Sequence, residues 1–95
     1  MFVFSSRIRV RINISYSLKD KRQVIRSIKD RFRAAFKVLL TEVGEQDNRN
    51  FSTLGFSFVC EDISYGKSLQ QKMIDFIRDN IMEEVVQVEN FQEKY

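Results

Sequence analysis

Residues 4–15, FSSRIRVRINIS, and the segment that follows at 17–36, SLKDKRQVIRSIKDRFRAAF, decide the fold of this chain. In the first segment, apolar residues alternate with arginines, and a period of two predicts a strand over Phe4–Ser15 with one buried face. In the second segment, Ser17 stands three residues before Asp20, which predicts a capped helix start. Apolar residues then recur at helical spacing and predict one buried flank, made of Leu18, Val24, Ile25, Ile28, Phe32, Ala35 and Phe36.

The rest of the chain predicts a hairpin, a second helix and a last strand. Lys37–Val43 and Phe51–Glu61 are rich in β-forming residues and are separated by a polar loop. The second helix is expected to begin at Asp62 or Ser64, and the last strand to cover Glu84–Phe91. The core stripe of the second helix consists of Leu69, Met73, Phe76, Ile77 and Ile81.

This order, β-α-β-β-α-β, predicts an α+β ferredoxin-like sandwich, a four-stranded antiparallel sheet with two helices on one face. One such domain accounts for all 95 residues. The first and third strands are central in this topology, so Arg7, Arg9 and Arg11 are expected on the sheet face that the helices leave open. The predicted core consists of Ile8, Val10, Ile12, Ile28, Phe32, Phe56, Phe58, Met73 and Phe76.

Charge is divided unevenly along the chain. Residues 1–40 carry eleven basic and two acidic side chains, or +11 − 2 = +9, whereas residues 41–95 carry five basic and eleven acidic ones, or +5 − 11 = −6. The net charge of +3 therefore conceals a separation that predicts two poles of opposite sign. Such a separation favours a polyanion, or the opposite pole of a second copy, as the partner.

The composition argues against several enzyme and membrane classes. The chain contains no histidine and one cysteine, so Ser–His pairs, Cys–His pairs and the usual zinc sites cannot form within it. Cys60 is expected to be an unreactive core residue, because its flanks provide no positive charge. No segment approaches the roughly 20 apolar residues of a membrane span, and the N-terminus lacks a signal-peptide pattern. We therefore expect a cytoplasmic protein without enzyme activity, metal or cofactor.

Three further patterns have a functional and a structural interpretation. Residues 54–59, LGFSFV, resemble the aromatic RNP1 strand of RRM domains, but Arg9 stands where the companion strand carries an aromatic, which favours core packing. The turn at 15–17, SYS, lacks the glycines with which acylphosphatases of this topology hold phosphate. Three acids around the hairpin loop, Glu42, Glu45 and Asp47, suit a hard cation only weakly, so a solvated loop is expected.

Several short motifs together resemble one protein family. SLKDKR at 17–22, RFR at 31–33, FKV at 36–38, EVG at 42–44, QD at 46–47 and LG at 54–55 occur in that order. They are similar to the pattern of the bacterial DUF503 family, also called YlxP-like, from which Asp20, Lys37, Thr41 and the pair Asn48-Arg49 depart. The resemblance covers most of residues 7–62 and implies a ferredoxin-like fold and no established enzyme activity. The gene neighbourhood of that family implies a ribosomal or RNA role.

Five cations of the first helix share one flank. At about 100° per residue they fall within a sector of about 80°, centred about 120° from the apolar stripe. These residues, hereafter the basic row, are Lys19, Arg22, Arg26, Lys29 and Arg33. Because like charges at this spacing repel, the row favours contact with an RNA phosphate backbone or with an acidic protein surface. A solvated face is the alternative.

A second basic set is Arg7, Arg9 and Arg11, hereafter the arginine ladder. On an open sheet face these side chains could contact RNA, and they could equally pair across strands with carboxylates such as Glu89. The candidate nucleic-acid-binding residues are therefore the basic row together with the arginine ladder.

Lys21 differs from its neighbours because it falls in the apolar sector of its helix. It is expected to form a local ion pair with an acid such as Glu42 or Glu61. Two functions remain open for the chain as a whole. One is RNA or ribosome association through the basic row, and the other is a homo-oligomeric or protein-interaction module, including a homodimer, with no nucleic-acid role.

Overall fold

The computed structural model describes residues 1–12, 17–81 and 84–95. Its elements occur in the predicted order and form the predicted ferredoxin-like α+β fold. They are β1 (Phe2–Arg11), α1 (Leu18–Phe36), β2 (Thr41–Gly44), β3 (Phe51–Cys60), α2 (Ile63–Asn80) and β4 (Glu84–Lys94).

The four strands form one antiparallel sheet in the order β2-β3-β1-β4, which confirms that the first and third strands are central. β1 pairs with β3 along its whole length, for example Ile8 with Leu54. On its other side β1 pairs with β4, and the register shifts between Arg9 and Val10. Because side chains alternate across a strand, the arginines of β1 lie on one face, and Phe4, Ile8 and Val10 lie on the other.

The core lies between the helices and the face of the sheet that carries these apolar side chains. Ile8, Phe32 and Ile77 are fully buried there, and burying a side chain of this size contributes about 1.5–3 kcal/mol. Seven of the nine predicted core residues are buried, and the other two, Phe58 and Phe76, are half-buried and pack against them. Ala35 was expected in the apolar stripe, but it is exposed because it lies at the edge of the buried sector.

Both ends of α1 agree with the predicted helical segment, whereas the strand that follows begins later than predicted. The Ser17 hydroxyl accepts a hydrogen bond from the Asp20 backbone N–H at 3.1 Å. At the other end, Lys37 adopts a left-handed conformation with φ 59°, and its N–H bonds to the Arg33 carbonyl. The predicted strand over Lys37–Val43 therefore begins only at Thr41, because the residues before it reverse the chain direction at the helix end.

The other boundaries differ by a few residues. β1 begins at Phe2, and the predicted continuation of the strand to Ser15, like most of the 15–17 turn, lies outside the described residues. Of the two candidate caps of α2, Asp62 accepts a hydrogen bond from the Tyr65 N–H at 2.8 Å. β4 extends to Lys94, where it pairs with Phe2.

The two helices pack over different parts of the sheet. Gly66 of α2 lies directly against the ring of Phe4 on β1, where any Cβ would collide with the ring. Gln70 of α2 donates a hydrogen bond to the Ser5 carbonyl of the same strand at 2.9 Å. In contrast, α1 packs over β3, where the rings of Phe32 and Phe56 are 5.3 Å apart. Consequently α1 lies on the β2–β3 side of the sheet and α2 on the β1 side.

Candidate nucleic-acid interface

The basic row lies on the surface without a carboxylate partner. Four of its five side chains are exposed, and Lys29 is half-buried. Within residues 1–12, 17–81 and 84–95, none of the five makes an ion pair or a side-chain hydrogen bond. Uncompensated cations on a helix flank repel one another and attract an external anion.

A contact between the helices shows which way the basic row faces. Arg31 of α1 donates a hydrogen bond to the carbonyl of Asn80 at the end of α2, at 3.3 Å. On the helical wheel, the centre of the basic row is about 160° from Arg31. The row therefore faces away from α2, on the flank of α1 above the β2–β3 side of the sheet.

The arginine ladder lies on the open face of the sheet, as predicted, but each of its members has an acidic partner. Arg7 forms two hydrogen bonds to the Glu89 carboxylate, at 3.0 and 3.2 Å. Arg9 binds Glu45, with a shortest distance of 2.9 Å. Arg11 and Glu84 form a longer ion pair, with 3.8 Å between the guanidinium and the carboxylate. These contacts favour the interpretation that the arginine ladder pairs with carboxylates across strands. The partner of Arg9, however, lies beside the hairpin loop and not on β4.

The same contacts shift the ionisation of the paired groups. The hydrogen bond to Glu89 raises the pKa of Arg7, and the hydrogen bond to Glu45 raises that of Arg9. The hydrogen bond from Arg9 lowers the pKa of Glu45 below its usual range, although partial burial opposes this effect and a hydrogen bond from Thr53 adds to it. Both partners of the Arg9–Glu45 pair are therefore held in their charged forms.

Two aromatic side chains accompany the arginine ladder and were not expected there. The guanidinium of Arg9 lies 4.0 Å from the ring centre of Phe51, and that of Arg7 lies 5.7 Å from the ring centre of Phe91. Phe51 has the opposite parity to Phe56 on β3, so strand alternation alone could have placed it on the open face. The position of Phe91 depends on the pairing of β1 with β4, which the sequence does not reveal.

Lys21 forms the ion pair that its position in the apolar sector predicts. Its side chain is buried, and its Nζ lies 3.0 Å from the Glu42 carboxylate. It also donates a hydrogen bond to the Glu45 carbonyl. The Ser52 hydroxyl donates to Glu42 at 2.6 Å. Lys21 therefore anchors the start of the hairpin loop to α1 and is a structural residue.

These pairs also correct the expectation of two separate poles. Three arginines and Lys21 from the first 40 residues bind carboxylates from the rest of the chain. The charge separation along the sequence is therefore partly neutralised in space. The basic row is the largest group of cations on one helix flank that has no such partner among the described residues.

The RNP1-like segment belongs to the core, as parity predicts. Phe56 is 5% exposed, and the ring of Phe58 stacks on that of Phe4 with centres 5.3 Å apart. Both rings point toward the helices, so neither can stack on a base from the open face. Cys60 was expected to be a core residue, but it is only half-buried, because β3 ends there, and its thiol donates to the Asp62 carbonyl.

The acids around the hairpin loop do not form a cation site, because two of them form ion pairs with basic side chains. Glu42 and Glu45 are used by Lys21 and Arg9, and Asp47 is exposed. Among the described residues, no group of three or more acidic or cysteine side chains has the arrangement of a metal site. Neither of the described helices is long and apolar enough to cross a membrane.

Comparison with known proteins agrees with the family resemblance. No curated protein matches this chain at a significant level. The family model described as "Protein of unknown function (DUF503)" matches residues 3–90, which include every described helix and nearly all of the sheet. The chain therefore belongs to the DUF503 family.

Proposed function

We propose that this protein binds the sugar–phosphate backbone of RNA through the basic row, as a cytoplasmic RNA- or ribosome-associated protein without enzyme activity. The observation that supports this proposal is the contrast in pairing. The arginine ladder has carboxylate partners, whereas the five cations of the basic row have none among the described residues. Lysine and arginine arrays of this kind contact phosphates without reading sequence.

The surroundings of the basic row favour a double-stranded ligand. Proteins that bind single strands usually combine basic residues with exposed aromatic side chains on which bases stack. In the described part of α1, the two phenylalanines, Phe32 and Phe36, are buried or half-buried on the core side. Duplex RNA offers its phosphates without requiring a stacking platform, so it is the form that the row suits.

The test is the salt dependence of binding to a short RNA duplex. Each phosphate contact to a duplex contributes about −0.9 to the slope of log K against log salt, so five contacts give roughly −4.5. We expect the double variant Arg26→Gln/Lys29→Gln to lose about 1.8 units of this slope. The loss should be similar for duplexes of different sequence, because phosphate contacts carry no base information.

A matched control is available on the other helix. Lys67 and Lys72 of α2 are exposed and have no acidic partner among the described residues. Lys67→Gln/Lys72→Gln makes the same change in net charge and should leave the slope nearly unchanged. If both double variants lose equal slope, binding follows net charge and the basic row is not a site. A salt-stable dimer that binds no RNA would instead favour the interaction-module alternative.

A further inference from the structure

One stretch of the sheet edge has no neighbouring strand. β1 pairs with β3 over the full length of β3, but β2 pairs with it only at Thr53, Leu54 and Gly55. β3 then continues over residues 56–60, hereafter the free edge, and no described strand lies on its outer side. The outward backbone groups of the free edge are therefore available to pair with another strand.

The free edge lacks the features that usually protect such strands. Its sequence, FSFVC, contains no charge and no proline, and Val59 is 62% exposed. Beside it, Leu39 is 65% exposed. The other edge of the sheet, β4, is different, because it carries charged residues and a register shift. Natural sheets use these devices to prevent edge pairing, so their absence at the free edge favours a binding role.

A groove runs beside the free edge. Its volume is about 790 Å³, and its walls include Lys37, Val38 and Leu39 from the segment before β2 together with Phe56, Ser57 and Phe58. None of the described residues that line this groove carries a carboxylate. Arg7, which also borders it, is already paired with Glu89. Among the described residues, this apolar groove therefore has one cation without a carboxylate partner, Lys37, and it lies beside a strand edge that no described strand covers.

The charge above the groove favours an acidic occupant over a second copy. Lys37 follows Arg33 by one helical turn, on the side of α1 that faces away from α2. Phe32 contacts Phe56, so this end of α1 lies over the start of the free edge. Two copies joined edge to edge about a two-fold axis would bring both of these basic helix ends together, and like charges at such an interface oppose association.

We propose that the free edge binds an extended acidic segment of a partner protein by strand addition. The added strand bonds to the outer backbone groups of residues 56–60, as in other β-augmentation complexes. Its apolar side chains occupy the groove beside Leu39 and Phe58, and its carboxylates lie near Lys37 and Arg33. This surface shares Arg33 with the basic row, but its strand contacts at residues 56–60 involve no residue of that row, so either proposal can fail without the other.

The test uses the full chain and synthetic peptides. A labelled peptide of alternating Glu and Val should bind, as measured by fluorescence anisotropy, and should slow hydrogen exchange at backbone amides of Ser57–Cys60. A Lys–Val peptide of equal length should not bind. A Glu–Val peptide in which every second Val is Pro keeps the charge but cannot form a strand. Equal binding of this Pro peptide would show simple charge attraction and overturn the proposal.

Two variants locate the binding site. Val59→Glu places a charge on the free edge and should weaken Glu–Val peptide binding by about tenfold. Gln87→Glu makes the same charge change on exposed β4 and should have no such effect. Equal losses in both variants, or exchange protection on β4, would overturn the assignment. A dimer in wild type that Val59→Glu dissociates would identify a second copy as the occupant and also overturn it. Val59→Glu should leave the salt slope of RNA binding unchanged.

Discussion

The helix flank and the open sheet face carry similar basic residues but differ in what surrounds them. Each arginine of the ladder lies opposite or beside a carboxylate, and the closest pairs are 2.9 and 3.0 Å apart. The basic row has no such partner among the described residues. The sheet supplies partners because acid-rich β4 pairs with arginine-rich β1. Arginine and lysine are therefore structural where a neighbouring strand or loop supplies acids, and they are available for binding where no acid lies nearby.

The largest expected effect on stability concerns Lys21, a cation of α1 that lies outside the basic row. Lys21 belongs to α1, as the basic row does, but it is buried and paired with Glu42. Removing one partner of a buried ion pair leaves an uncompensated charge, so Glu42→Gln should lower the free energy of unfolding by about 3 kcal/mol. Urea unfolding at neutral pH measures this loss.

The neighbouring residue provides the control for that experiment. Arg22 is exposed, belongs to the basic row and has no acidic partner in the described part of the chain. Arg22→Gln should change the free energy of unfolding by less than about 0.5 kcal/mol. Similar losses in the two variants would mean that the division into structural and available cations is wrong.

An intermediate effect is expected from pH. The hydrogen bond from Arg9 lowers the pKa of Glu45 in the folded state, so this pair adds stability above the unfolded pKa. That stability is lost as the pH falls through the folded pKa. Arg9→Gln should therefore be less stable than wild type at neutral pH, and the difference should shrink in acid as Glu45 becomes protonated in both proteins. Urea midpoints at neutral and acidic pH check this, and an equal difference at both would contradict it.

The smallest expected effect is a gain in RNA affinity when one arginine of the ladder loses its carboxylate partner. Glu89→Gln removes the partner of Arg7 and leaves that arginine free for an external phosphate. Affinity for an RNA duplex at low salt should rise by about twofold, because one more cation is exposed. Glu93→Gln on the same strand is the control, since Glu93 bonds to Tyr95 rather than to an arginine. An equal rise in both variants would indicate net charge alone.

Much of the fold follows from local patterns. Alternation over β1, the Ser17 cap and the helical spacing of Ile25, Ile28 and Phe32 predict their elements because burial of one face requires those periods. The start of β2 was not predictable in the same way. Residues 37–40 have β-forming side chains, but Lys37 ends α1 in a left-handed conformation and Leu40 enters the core, 2% exposed. The β-propensity of residues 37–40 does not predict this outcome, because the helix end and the burial of Leu40 depend on tertiary packing.

In the candidate site, too, some features follow from local residue spacing and others from contacts between distant parts of the chain. Five cations share one flank of α1 because they are spaced three and four residues apart, which matches the helical period. This placement follows from the sequence alone. Only the tertiary structure decides that Arg7, Arg9 and Arg11 meet carboxylates. Those partners lie 36 to 82 residues away, and only the strand register and hairpin geometry bring them together. The tertiary structure also leaves the outer edge of residues 56–60 without a neighbour among the described strands, since β2 is too short to cover β3.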